Sequence, residues 1–207
     1  MEKISTKPFY RRHLPHWNPA NATYFVTIRL AGSVPKVVLQ NYREEMKTQE
    51  IPRTERFKRR RTWFRKFESL LHHDPVGPVW LSQPTVAQMV VDCLHYRHGK
   101  VYSLDCFCIM PNHLHLIFCP LKSGSGLSSK VSSPSLPGIM HSLKSYTAHQ
   151  ANKILGREGP FWAQESFDHW LRSPAHWRLA VDYVLDNPVK AGFVEAWQQY
   201  PWCFTRF

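Results

Sequence analysis

Two histidines separated by one leucine stand in the run Met110-Pro111-Asn112-His113-Leu114-His115-Leu116. Side chains on a β-strand alternate between faces, so His113 and His115 project from one side and Leu114 and Leu116 from the other. Two imidazoles placed in this way can chelate one divalent cation; a surface or hydrogen-bonded pair is the plainer reading. Further along, Tyr146 and Gln150 are four residues apart and share one face of a helix. They lie at the edge of the apolar stripe Met140, Leu143, Ala151 and Ile154, which predicts a helix docked on a sheet with both groups at its rim. Tyr146 is then a candidate nucleophile and Gln150 a third, oxygen-donating ligand. The simpler alternative is a partly buried tyrosine beside a solvated glutamine. A second pair, Tyr183 and Asn187, has the same spacing. Asn187 precedes Pro188, which disfavours helical geometry there, and Tyr183 stands among Ala180, Val181, Val184 and Leu185, where a core role is natural. Tyr146 is the preferred candidate.

The chain carries 27 Lys and Arg against 15 Asp and Glu, a formal charge of +12 with 12 histidines besides. That excess favours a polyanionic partner, nucleic acid above all, through counterion release. Between 53 and 66 the basic residues are interleaved with Phe57, Trp63 and Phe64. On a helix Lys58, Arg61 and Arg65 share one side, and Phe57, Phe64, Phe67 and Leu71 gather on another. This is either a phosphate-tracking face or a solvated basic helix. Arg11 and Arg12 offer a second basic contact. Cys93, Cys106, Cys108, Cys119 and Cys203 form no CxxC pair, which argues against a disulfide framework or zinc finger and for reduced core thiols. No apolar run approaches the ~18 residues of a membrane span, and residues 1–17 lack the apolar core of a secretory signal. A cytoplasmic protein with no membrane partner is expected. No GxxxxGK[ST] loop is present, so no ATP is expected.

The elements that must position these groups follow from local pattern. Residues 24–30 are rich in β-branched and aromatic side chains and read as a strand. Prolines then punctuate a polar stretch into helices near 36–49, 54–72 and 84–97. Residues 101–110 and 113–119 are two strands joined by Pro111-Asn112, a turn pair that implies an antiparallel hairpin. Residues 122–138 are dominated by Ser, Gly and Pro and read as a flexible connector. A helix over 139–155, a strand over 167–172 and a last helix from Ser173-Pro174 to Asn187-Pro188 complete the chain. The order is β-α-β-β-α-β, an α/β (α+β) ferredoxin-like plan with a central antiparallel sheet and inserted helices. One domain over 1–172 is expected, with a helical extension over 173–207 packed on it.

Several segments together carry a family resemblance. They are Cys108-Ile109-Met110-Pro111-Asn112-His113-Leu114-His115, Leu143-Lys144-Ser145-Tyr146-Thr147-Ala148, residues 161–169 (FWAQESFDH) and Asn187-Pro188-Val189-Lys190-Ala191-Gly192. With Arg11-Arg12-His13-Leu14-Pro15-His16 and Tyr24-Phe25-Val26-Thr27, they resemble the single-tyrosine transposases of the HUH (His-hydrophobic-His) type, in the REP-associated branch. The resemblance covers nearly the whole chain in order and agrees with the βαββαβ plan. It implies His113 and His115 as the metal pair, Gln150 as the amide ligand, Tyr146 as the nucleophile and Mg²⁺ or Mn²⁺ as the cofactor. It implies cleavage and rejoining of single-stranded or hairpin DNA through a 5′-phosphotyrosine, by a monomer or homodimer. Arg11, Arg12, Lys58, Arg61, Arg65 and Lys144 are the expected DNA contacts. The alternative is a host-retained, non-catalytic DNA- or RNA-binding protein on the same fold. The resemblance argues against an HUH replication initiator or relaxase. The basic segment 50–73 exceeds the minimal fold, and no role transfers to it.

Overall fold

A computed structural model describes residues 9–11, 15–17, 22–47, 52–73, 77–121 and 135–207. Two short strands, β1 (Phe9–Arg11) and β2 (Pro15–Trp17), pair antiparallel at the N-terminal end. The main sheet is formed by β3 (Tyr24–Arg29), β4 (Tyr102–Met110), β5 (His113–Pro120), β6 (Phe167–Trp170) and β7 (Cys203–Thr205). Its order is β6-β3-β5-β4-β7, and every neighbouring pair is antiparallel. The first four of these strands have the split βαβ arrangement expected from the sequence. The C-terminal segment, expected to be helical, also contributes β7 at the β4 edge. Its Cys203 and Phe204 lie opposite Cys108 and Phe107.

Helix α1 is Lys36–Lys47 and α2 is Arg53–His73. Helix α3 (Pro84–Arg97) leads into β4, and α4 (Leu136–Ile154) connects β5 to β6. Helix α4 begins inside the segment read as a connector. Ser135 caps it, its hydroxyl accepting from the Gly138 N–H at 3.3 Å, and Pro137 lies in the first turn, where its missing N–H costs nothing. Helix α5 (Pro174–Leu185) is capped in the same way by Ser173. A short helix, α6 (Asn187–Lys190), follows at once. Pro188 therefore does not expel Asn187 from helical structure: it occupies the first turn of α6, where proline is tolerated.

The two sheet faces have different partners. Val26, Ile28, Leu30, Ile109, Leu114, Leu116 and Phe118 form one core with Val86, Ala87, Val90 and Leu94 of α3 and Ile139, Met140, Leu143 and Ala151 of α4. On the other face Phe25, Cys106, Cys108, Met110 and Ile117 pack against Ala180, Val181, Val184 and Leu185 of α5. A bulge at Asp105 resets the alternation in β4, so that Leu104 and Phe107 both reach the α3/α4 side. Asp105 accepts from Trp177 Nε1 and Arg206 Nη2, each at 2.7 Å, pinning α5 and the C-terminal end to the bulge. A third cluster joins α1 to α2 through Val34, Tyr42, Met46, Trp63, Phe67 and Leu71. Among the described residues no helix is long and apolar enough to cross a membrane. The described cysteines are free thiols.

Candidate metal centre

The register of the sheet fixes both histidines. His115 lies opposite Thr27 of β3 and Cys108 of β4, and His113 lies opposite Arg29 and Met110. Both side chains project to the α2/α5 side, as the alternation requires, and both are fully buried. Each ring is held through Nδ1. His115 Nδ1 is 2.7 Å from Thr27 Oγ1. His113 Nδ1 is 2.6 Å from Asn112 Oδ1. A carbonyl oxygen only accepts, so His113 carries its proton on Nδ1 and presents a lone pair at Nε2. Burial, with His115 and His72 close by, holds the His113 imidazole well below its ordinary pKa. The neutral ring is the form that binds a metal.

Helix α2 completes the group. Glu68 and His72 are one turn apart and face the pair. His72 Nε2 is 3.4 Å from His113 Nε2, His115 Nε2 is 3.2 Å from Glu68 Oε2, and His72 Nε2 is 3.9 Å from Glu68 Oε2. One ligand atom from each of the four residues lies within 4.8 Å of the others. His115 Nε2 is buried and meets no hydrogen-bond geometry among the described residues, and the Glu68 carboxylate 3.2 Å away is the charge it faces. Burial alone would raise the Glu68 carboxyl, but His115, Tyr183 and His72 together hold it below the usual carboxylate range.

Asn112 ties the two halves together. Its Nδ2 donates to the Leu71 carbonyl at 3.0 Å while its Oδ1 holds His113. Leu71 lies in the last turn of α2, where carbonyls have no helical partner. Asn112→Ala is expected to cost about 2–4 kcal/mol, because buried groups on both sides lose their partners. Urea unfolding of the two proteins measures the difference.

Tyr183 of α5 is the tyrosine that reaches this centre. Its hydroxyl donates to Glu68 Oε2. The ring packs edge-on against His115, with centroids 5.6 Å apart, and near Phe25 at 5.9 Å and Phe64 at 6.3 Å. Lys190 Nζ lies over it, 5.2 Å from its centroid. Burial and the Glu68 charge push the hydroxyl well above the usual tyrosine pKa. Asn187 is fully buried, and its Nδ2 donates to the carbonyls of Tyr183 and Val184 at 2.8 and 3.2 Å.

The expected companions are elsewhere. Helix α4 packs on the opposite sheet face, so Tyr146 and Gln150 are not brought to His113 and His115. Tyr146 is half exposed, under the Arg97 guanidinium at 5.3 Å. Lys144, expected at DNA, donates to the carbonyls of Ala163 and Gln164 at 2.7 and 2.9 Å and so binds α4 to the segment before β6. Lys58, Arg61 and Arg65 form an exposed arc on α2, while Trp63, Phe67 and Leu71 are buried. The side chain of Arg11 and all of Arg12 lie outside the described residues, as do residues 122–134 of the connector. Glu68 and His72 are the functional candidates that the sequence pattern does not single out. Their i, i+4 spacing between the basic and aromatic arcs of α2 is the available signal.

A scan against protein-family models finds no match. A curated protein of Haemophilus influenzae, named "Putative REP-associated tyrosine transposase", is 24% identical over 110 residues, 53% of this chain and 60% of that relative. The chain is similar to the REP-associated tyrosine transposases. That is the branch its motifs resemble. A solved structure of a REP-associated tyrosine transposase bound to a REP hairpin is similar over 94% of this chain and 80% of its own, at a TM-score of 0.49 and 16% identity.

Proposed function

We propose that this chain is a metal-dependent enzyme that cleaves and rejoins single-stranded DNA through a tyrosine, acting in the cytoplasm on hairpin-forming sequences without ATP. The observation that carries this reading is the meeting of Tyr183 with the His113/His115 pair on Glu68. Tyr183, rather than Tyr146, is the nucleophile. His113, His115 and Glu68 would hold the ion. A bound dication polarises the scissile phosphate and offsets charge in the transition state. Glu68 positions the phenolic hydroxyl, whose proton ends on the departing 3′-oxygen, and the Phe25, Phe64 and His115 rings pack around Tyr183. The Tyr183 oxygen forms a bond to phosphorus as the 3′-oxygen leaves, giving a 5′-phosphotyrosine and a free 3′-hydroxyl. Reversal of that step rejoins strands with no external energy source.

The test is incubation with a single-stranded oligonucleotide containing a hairpin, with Mn²⁺, followed by a denaturing gel. A covalent adduct supports the reading. Retained binding with no adduct in any divalent metal favours the non-catalytic, host-retained alternative.

The exposed arc of α2 lies on the helix that carries Glu68 and His72, within about three turns of Glu68 along its axis. Neutralising Arg61 and Arg65 together should lower the salt slope of single-strand binding by about 1.4, since each lost phosphate contact removes about 0.7. Titrations of a labelled strand at several salt concentrations measure it. An unchanged slope would mean that this arc faces water.

A further inference from the structure

We infer that the centre selects a nitrogen-seeking transition-metal dication, such as Zn²⁺, over Mg²⁺, and that His72 is the ligand that sets this preference. The inference rests on the metal-dependent reading above and deepens it. The ligand set is three imidazole nitrogens and one carboxylate, two of the four supplied by α2. Mg²⁺ prefers oxygen donors in near-ideal octahedral geometry, and it keeps several waters because it dehydrates reluctantly. Two of the ring nitrogens here belong to side chains with no solvent exposure, and each ring is already oriented through its other nitrogen. Imidazole suits Zn²⁺ and its first-row neighbours, with affinity rising from Mn²⁺ towards Zn²⁺.

The spacing agrees with the chemistry. A tetrahedral ion with ligand bonds of ~2.0–2.1 Å holds its donors about 3.3 Å apart. Two edges of the group are already 3.4 and 3.2 Å, a third is 3.9 Å, and all lie within 4.8 Å, so the wider ones must close when an ion binds. His72 is stacked on His113 with centroids 5.2 Å apart and planes 21° from parallel. Removing it leaves two histidines and a carboxylate, a set with open positions for water that discriminates less against oxygen-seeking ions.

The experiment uses the full chain stripped with EDTA and titrated calorimetrically with ZnCl₂, MnCl₂ or MgCl₂, beside the adduct assay run in each metal. Zn²⁺ should bind one per chain, at least about 100-fold more tightly than Mg²⁺, with Mn²⁺ between the two. His72→Ala should weaken Zn²⁺ at least tenfold, since even outer residues that orient a ligand are worth about 10–100-fold. It should leave Mg²⁺ unchanged. The visible bands of the Co²⁺-loaded chain, intense for a four- or five-coordinate ion, should weaken in the variant, which a purely structural change would not cause. If His72→Ala does not fold, His72→Gln keeps bulk without the imidazole and is read in the same way. Mg²⁺ binding as tight as Zn²⁺ would overturn the selectivity, and adducts formed in Mg²⁺ would leave the proposed function standing. Unchanged Zn²⁺ affinity and Co²⁺ bands in a folded variant would overturn His72 as a ligand. Adduct formation in EDTA with no ion bound would overturn both.

Discussion

Tyr183→Phe should abolish covalent adduct formation, by a factor of at least about 10⁴, the scale on which enzymes lose rate when their nucleophile is removed. Tyr146→Phe should form adduct at the wild-type rate. The contrast is sharp because both substitutions delete one oxygen and keep the ring. At position 183 the phenyl ring would still fit between Phe25, Phe64 and His115. Glu68 loses one hydrogen-bond donor, so stability should fall by about 1–3 kcal/mol. It keeps His115 and His72 beside it, and DNA binding through the exposed arginines should persist. A denaturing gel reads adduct, and a thermal melt separates lost chemistry from lost fold. Adduct that survives Tyr183→Phe and disappears with Tyr146→Phe would return the nucleophile to α4.

The choice between the two tyrosines shows what the sequence made legible. The alternation through residues 113–118 places His113 and His115 together opposite Leu114 and Leu116, and the structure has them so. The β-α-β-β-α-β order was equally legible. Combining the two settles where α4 goes. Each of α3 and α4 joins parallel strands with one strand between them, and right-handed crossovers put both helices on the same face. An apolar face made of Leu114, Leu116, Val26 and Ile28 is the one that two amphipathic helices would cover. Tyr146 then lies across the sheet from the histidines. Treating the rim of the sheet as reachable from either face hid this. Pro188 misled for a different reason. Its bias acts on the preceding residue, but a proline in the first turn of a new helix leaves the chain helical, and Asn187 stays packed against the end of α5. Glu68 was the least legible. Its neighbours 65, 66, 67, 70 and 71 read as basic or apolar arcs, and a single acid between them gains meaning only when α2 is laid on β5. That docking depends on Asn112 and on the aromatic cluster with α1, contacts between segments far apart in sequence.

His115→Ala should end cleavage and weaken metal binding sharply, whereas Ile117→Ala, two residues on along the same strand face, should do neither. Both side chains are fully buried, so both truncations open a cavity of the kind that costs about 2–5 kcal/mol. His115→Ala also strips Thr27 Oγ1 of its partner and removes one of the groups that hold the Glu68 carboxylate ionised. The two variants are thus matched in packing loss and differ in chemistry. Melting with and without Mn²⁺ separates these effects, because a ligand that binds the folded state alone stabilises it by about 2.7 kcal/mol at a hundred times its Kd. Wild type and Ile117→Ala should both show that upward shift in melting temperature, the latter from a lower starting point, and both should form adduct. His115→Ala should start low and show a much smaller shift, and its adduct yield should fall to the level of the wild type in EDTA. If Ile117→Ala loses adduct to the same degree at a temperature where it is folded, cleavage depends on the packing of this face rather than on a ligand at residue 115. An Mn²⁺ shift of undiminished size in His115→Ala would place the ion away from the four residues that α2 and β5 bring together.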